Sequence, residues 1–239
     1  MGRLYLAPVA MNPLLRIAIW GLGISALGTL PLGTINVAAM QISIAEGLYE
    51  ACLFSIGAAI IEVAYVRVSL VGINWIRHRA HLLRWLDWAA FLIVAALAIT
   101  SFIAAAHPEG GGKNVILNAN VNSFALGVSM SALNPMQVPF WFGWSTVLFG
   151  KGLLKADKQY FNWYSVGIGI GTLTGLAIFV LGGQVLVRHM DDNRSLINYI
   201  IAGIFALTAL IFLYKIIFNK GAAAALQAKS AEEANQDPA

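Results

Sequence analysis

Two stretches decide how this chain is read: Leu30-Pro31-Leu32-Gly33-Thr34-Ile35-Asn36 and Leu133-Asn134-Pro135-Met136-Gln137-Val138-Pro139. Each lies deep inside an apolar run, and each opens a set of three hydrophobic segments. Proline removes a backbone hydrogen bond and clashes with the preceding turn, so in lipid the freed carbonyls require other helices, polar side chains or water. One such break alone reads as a kink. Two at corresponding places in two halves are the mark of discontinuous helices that face each other across a substrate site near the midplane.

Working outward, the chain is 59% hydrophobic and 11% charged, which excludes the surface chemistry of an ordinary soluble domain. Runs long enough to cross about 30 Å of hydrocarbon lie near 16–43, 48–75, 84–106, 121–149, 161–187 and 196–218. The fold class expected is an all-α integral membrane protein of six transmembrane helices, with helices 1 and 4 broken at the proline motifs. Residues 1–220 form a single transporter domain in this reading, and 221–239, rich in Ala with Lys229, Glu232, Glu233 and Asp237, form a disordered cytoplasmic tail. The first span is read as retained, because its apolar run is too long for a cleaved leader.

Lys and Arg fall in alternate loops, 11 on the side of the termini against 3 (Lys113, Arg188 and Arg194) on the other. This bias places both termini in the cytoplasm and explains the net charge of +4 without a nucleic-acid partner. A single cysteine, Cys52, reads as a small packing residue and leaves no soft-metal cluster. Neither a metal nor another cofactor is expected.

Aligning Pro31 with Pro135 gives an offset of 104 residues, and aligning Ser55-Ile56-Gly57 with Ser165-Val166-Gly167 gives 110. Two units fit, one over about 14–106 and one over about 118–218. A unit with an odd number of spans enters the membrane from opposite sides when duplicated in tandem, so the reading is two inverted three-helix repeats. In span five, Gly167, Gly171 and Gly175 recur every four residues, a row that lets another helix approach closely. Trp20, Trp75, Trp85, Trp88 and Trp163 sit near span ends as interfacial anchors, whereas Trp141 follows the second break, where it can line a cavity.

Glu62 lies near the centre of span two, about 20 Å from either end by helical rise. An ionised carboxylate there requires a cation, a water-filled cavity or a proton, which makes Glu62 the candidate for proton or cation coupling. Its helical face also carries Ser55, Ala58, Ala59, Tyr65 and Ser69, a narrow stripe of small and polar residues. Arg67, five residues on and roughly 140° around the helix, cannot pair with Glu62 ideally. It is read either as snorkelling to the interface or as a charge partner for another span or a substrate carboxylate. At the breaks, unwound backbone presents carbonyls to a cation, and the half-helix that follows presents N–H groups to an anion. Pro31, Gly33, Asn36, Asn134, Pro135 and Gln137, with Tyr65 and Trp141, are the substrate-binding candidates; Gln41 is a further nearby amide.

With these residues in view, the chain resembles the LysE-type lysine/homoserine exporter family. The resemblance rests on Pro31-Leu32-Gly33 with Asn36, on Glu46-Gly47-Leu48-Tyr49-Glu50-Ala51 and Gly57, and on Asn134-Pro135-Met136. The family usually has Pro-Gly-Pro at the first motif and Asn-Pro-Lys at the last, so this chain departs from it in both. The loop after span one is acidic where many members carry arginines. The resemblance implies a multi-pass exporter of amino acids or related metabolites in the bacterial inner membrane, driven by an ion gradient and forming homodimers.

The expected function is therefore secondary active export of an amino acid or similar small zwitterion, coupled to protons through Glu62. The alternatives are export of a hard inorganic cation held by carbonyls and Glu62, an intramembrane enzyme, or a scaffold. No nucleophile, base and orienter stand at readable spacing, so no enzyme is expected. A scaffold would leave the paired breaks and the central acid without a role.

Overall fold

The computed structural model describes residues 11–30, 33–71, 80–106, 122–134, 136–189 and 194–221, together with 224, 225 and 228. Pro31, Pro135, Trp75 and most of the expected tail lie outside the described residues. Among those described, the chain forms α1 (Pro13–Thr29), α2 (Thr34–Ala45), α3 (Leu48–Val71), α4 (Ala80–Ala106), α5 (Ser123–Ala132), α6 (Gln137–Gly150), α7 (Lys158–His189) and α8 (Arg194–Ile217), and no strand.

The local chemistry of the helix starts is legible. Asn12 caps α1 by accepting from Leu14 N at 2.9 Å, with Pro13 at the first helical position, where its missing N–H costs nothing. Asn122 caps α5 in the same way, accepting from Phe124 N at 2.9 Å and Ala125 N at 3.4 Å. Asn122→Ala is expected to cost about 1 kcal/mol. For a chain of this size that lowers the thermal midpoint by roughly 2–4 °C. Thermal unfolding in detergent checks this, and Asn122→Asp should restore the midpoint.

Both expected breaks fall between helices. The axes of α1 and α2 differ by 74°. Among the described residues four helices (α3, α4, α7 and α8) are long and apolar enough to cross a membrane, and the count is five if α1 and α2 form one bent span. The stretch read as a fourth span consists of two short helices, α5 and α6, neither long enough alone, because the chain leaves helical geometry near Asn134. Large apolar side chains such as Leu92, Ile99, Leu207 and Leu210 face outward, as lipid-facing positions should. Trp20, Trp85, Trp88 and Trp163 are exposed as interfacial anchoring requires. Cys52 is also exposed, so its reading as a packing residue is corrected: it points away from the bundle.

The bundle is held by close crossings. α1 packs chiefly on α7, and α5 on α3; α2 also rests on α7 and α6 on α3; α3 crosses α7, and α4 pairs with α8. The glycine row of α7 is the seam with α1. A Cβ on Gly167 would stand 2.0 Å from the Ala18 carbonyl oxygen, and one on Gly171 2.4 Å from that of Leu22. The α3–α5 crossing is built likewise, with Gly127 against the Phe54 carbonyl and Gly57 against that of Phe124. These contacts are backbone to backbone, the arrangement that small residues permit between helices in lipid. Two apolar cores result. One gathers Val37, Ile42, Phe54, Leu97 and Phe205; the other gathers Ile17, Ile24, Trp141, Tyr164 and Ile168.

Candidate functional site

Where the helices break, polar side chains take up the exposed backbone. The Asn36 amide donates to the Thr29 carbonyl at the end of α1, and the Thr29 hydroxyl is shared between the Ser25 and Ala26 carbonyls at 3.1 and 2.9 Å. At the second break Asn134 Oδ1 accepts from Met136 N at 3.3 Å. The Tyr65 hydroxyl, reaching from α3, donates to the Ala132 carbonyl at the end of α5. Gln137 Nε2 donates to Ser131 Oγ at 3.0 Å, and that hydroxyl donates to the Ala58 carbonyl on α3 at 3.1 Å. Carbonyls released at each break, those of Ala26 and Thr29 at the first and Ala132 at the second, are thus answered from within the protein, as irregular backbone at membrane depth requires.

The two breaks open onto one cavity of about 390 Å³. From the first come Gly28, Thr29, Gly33, Thr34, Ile35 and Asn36; from the second come Ser131, Asn134, Met136, Gln137, Phe140 and Trp141. α3 contributes Ala58 and Glu62, and α7 contributes Thr172 and Leu176. α8 closes the wall with Thr208, Ile211, Phe212 and Lys215, spaced so that they share one helical face. α2 has no side-chain cap at its N-terminus, and its first residues face the cavity; at the start of α6, by contrast, Gln137 N donates to the Asn134 carbonyl, Phe140 N donates to that of Met136, and Pro139 has no N–H. An uncapped helix start presents N–H groups and the positive end of the helix dipole, which suits an anionic group.

Glu62 is held from two other helices. Thr172 Oγ1 on α7 lies 2.8 Å from Glu62 Oε2, and Ser25 Oγ on α1 lies 2.8 Å from Thr172 Oγ1. The same threonine oxygen is 2.9 Å from the Ile168 carbonyl. A hydroxyl carries one proton. It donates to an ionised Glu62, or it turns to the Ile168 carbonyl and accepts from a protonated one. The site therefore accommodates both forms of the acid without a change of partners. Gln137 Oε1 is buried beside the cavity and has no hydrogen-bond partner among the described residues.

The sequence candidates divide. Gly33, Asn36, Asn134, Gln137, Trp141 and Glu62 come together around the cavity, while Pro31 and Pro135 lie outside the described residues. Tyr65 closes the second break from behind rather than lining the cavity. Arg67 is directed elsewhere: its guanidinium donates to the Asn162 side chain on α7. Five residues past Glu62 it faces another side of α3. Gln41 is buried farther along α2, outside the lining, with neither amide atom partnered among the described residues. Reading the sequence alone missed Thr172, Ser131, Thr208 and Lys215. For Thr172 a signal existed: it lies 110 residues after Glu62, the offset that aligns Ser55 with Ser165. Lys215 stood in the last turn of an apolar helix and was absorbed into the charge bias of the loops.

A Bacillus subtilis (strain 168) protein named "Putative amino acid efflux protein YcgF" is 26% identical over 167 residues, which are 68% of this chain and 76% of the relative. No solved structure matches. The model of the LysE type translocator family matches residues 26–216, a range that includes every residue lining the cavity from Gly28 to Lys215. With both breaks, Glu62 and the α8 wall inside that match, this multi-pass membrane protein belongs to the LysE type translocator family of transporters.

Proposed function

We propose that the protein is a secondary active exporter of amino acids or similar small zwitterions, coupled to protons through Glu62. The observation that carries this reading is the single cavity in which both broken helices, the uncapped start of α2 and one carboxylate converge. An α-amino acid has the complementary groups. Its carboxylate is received by the N–H groups at the start of α2, and its ammonium by Glu62 and the unpartnered Gln137 oxygen. A proton on Glu62 competes with the ammonium for the same oxygens. Substrate and proton therefore occupy the site alternately, which is the requirement for exchange.

In this reading the chain has six spans in two inverted repeats, α1–α4 and α5–α8, within a single domain over 1–220. Support comes from the packing: exchanging the two sets maps the α1–α7 pairing onto α5–α3 and α2–α7 onto α6–α3, and leaves α3–α7 and α4–α8 unchanged. Asn12 and Asn122 cap corresponding helices with the same geometry. Alternating access then follows from rocking one unit against the other. The protein resides in the bacterial inner membrane with both termini in the cytoplasm, and works as a homodimer without a cofactor.

The test is efflux from proteoliposomes loaded with labelled amino acids, with and without an imposed proton gradient. Gradient-dependent loss of particular amino acids is expected; retention of every one by folded protein would overturn the proposal. Thr172→Val, which removes the hydroxyl from Glu62, should lower the gradient-driven rate about tenfold, since a hydrogen bond to a charged group contributes about 1.5 kcal/mol. Thr172→Ser should retain the wild-type rate, and equal rates for all three proteins would remove Thr172 from the mechanism.

A further inference from the structure

The cavity has a second charge that the coupling reaction does not use. Among the described residues that line it, Glu62 and Lys215 alone are ionisable. Lys215 lies in the last turn of α8 and shares a helical face with Thr208, Ile211 and Phe212, all of which border the same space. A lysine placed only to satisfy charge bias has no need to face a cavity, and its flexible stem would carry it into water. Lys220, by contrast, lies at the exposed end beyond the helix, against the Tyr214 ring.

We propose that Lys215 is a specificity-determining residue, which restricts the cavity to neutral amino acids with apolar side chains and excludes cationic ones. This inference rests on the function proposed above and names its substrate class. The charge inventory supports it. The start of α2 and the Lys215 ammonium are positive, and Glu62 is the one acid among the described lining residues that faces them. A zwitterion brings one group of each sign and satisfies both poles. Lysine or arginine brings a second cation, for which the described lining has no further acid, and whose approach to Lys215 is repulsive. The remaining walls, Ile35, Met136, Phe140, Leu176, Ile211 and Phe212, match an apolar side chain instead.

The experiment uses the full-length protein in proteoliposomes, measuring kcat/KM for labelled leucine, phenylalanine, lysine and arginine in the wild type, Lys215→Met, Lys215→Gln and Lys215→Arg. Wild type should favour leucine or phenylalanine over lysine by roughly tenfold or more, as like-charge juxtaposition predicts. Lys215→Met and Lys215→Gln should gain lysine transport, and Lys215→Arg should keep the wild-type preference. Equal wild-type transport of lysine and leucine would overturn the inference and leave the export reading standing, as would an unchanged preference in both neutral variants. Failure of folded wild type to move any of the four would overturn the inference, and the export reading falls with it only if every other labelled amino acid is retained as well.

Discussion

Glu62→Gln is expected to abolish gradient-driven efflux while the protein stays folded and inserted. Glutamine has the shape of glutamate and still accepts from the Thr172 hydroxyl, so the bridge from α3 through Thr172 to Ser25 on α1 is kept. Only the capacity to take up and release a proton is lost, along with the charge that draws the substrate ammonium. The ratio of efflux with the gradient to efflux without it should therefore fall to about 1, since an element that binds no proton cannot be biased by one. The thermal midpoint should stay within roughly 2 °C of wild type, because no buried volume changes. Measuring both quantities on one preparation separates coupling from folding. Wild-type gradient dependence in Glu62→Gln would show that the proton is carried elsewhere.

Gly167→Ala is expected to be strongly destabilising. The new methyl would start 2.0 Å from the Ala18 carbonyl oxygen, and the atoms it meets belong to the backbone of α1. No rotamer change relieves a backbone clash, so α1 and α7 must separate. The contacts of Gly171 with Leu22 and of Gly175 with Thr29 then loosen in the same motion. Overpacking of this kind costs about 3 kcal/mol or more, a fall of roughly 10 °C in midpoint for a chain of this length. Gly203→Ala is the control: a Cβ there meets nothing within 4 Å, and replacing a helical glycine should be neutral or stabilising. Thermal melts of the two variants in the same detergent decide the matter. Equal midpoints would mean that the α1–α7 seam is not close-packed in the membrane. The seam also bears on function, because Thr29 at its end both holds the first break and lines the cavity.

The sequence by itself determined what a one-dimensional pattern can carry. Long apolar runs report burial in lipid because no water is available there to satisfy a polar backbone, and Pro31 and Pro135 mark where helices stop because proline has no N–H to give. Glu62 was legible for the same reason: a carboxylate in the middle of an apolar run is too costly to be incidental. The spacing of Gly167, Gly171 and Gly175 announced a close helix contact, though not the partner. Asn36, Asn134 and Gln137 could be grouped with the breaks because they adjoin them in sequence.

Only the tertiary structure decided which residues from distant helices meet. That α1 fills the glycine seam, that Thr172 reaches Glu62, and that Arg67 turns to Asn162 depend on how α3 and α7 cross. Helix rotation about its own axis is set by neighbours, and hydropathy does not encode it when every face is apolar. Tyr65 illustrates the point: a polar residue on the Glu62 stripe belongs by sequence to the cavity, yet its hydroxyl closes the end of α5. Lys215 illustrates the converse. Counted along the chain it is one more cation at the end of a span, and it becomes a cavity residue only because α8 turns that face inward. Periodicity reveals the stripes on each helix, and packing alone selects the stripe that looks onto the site.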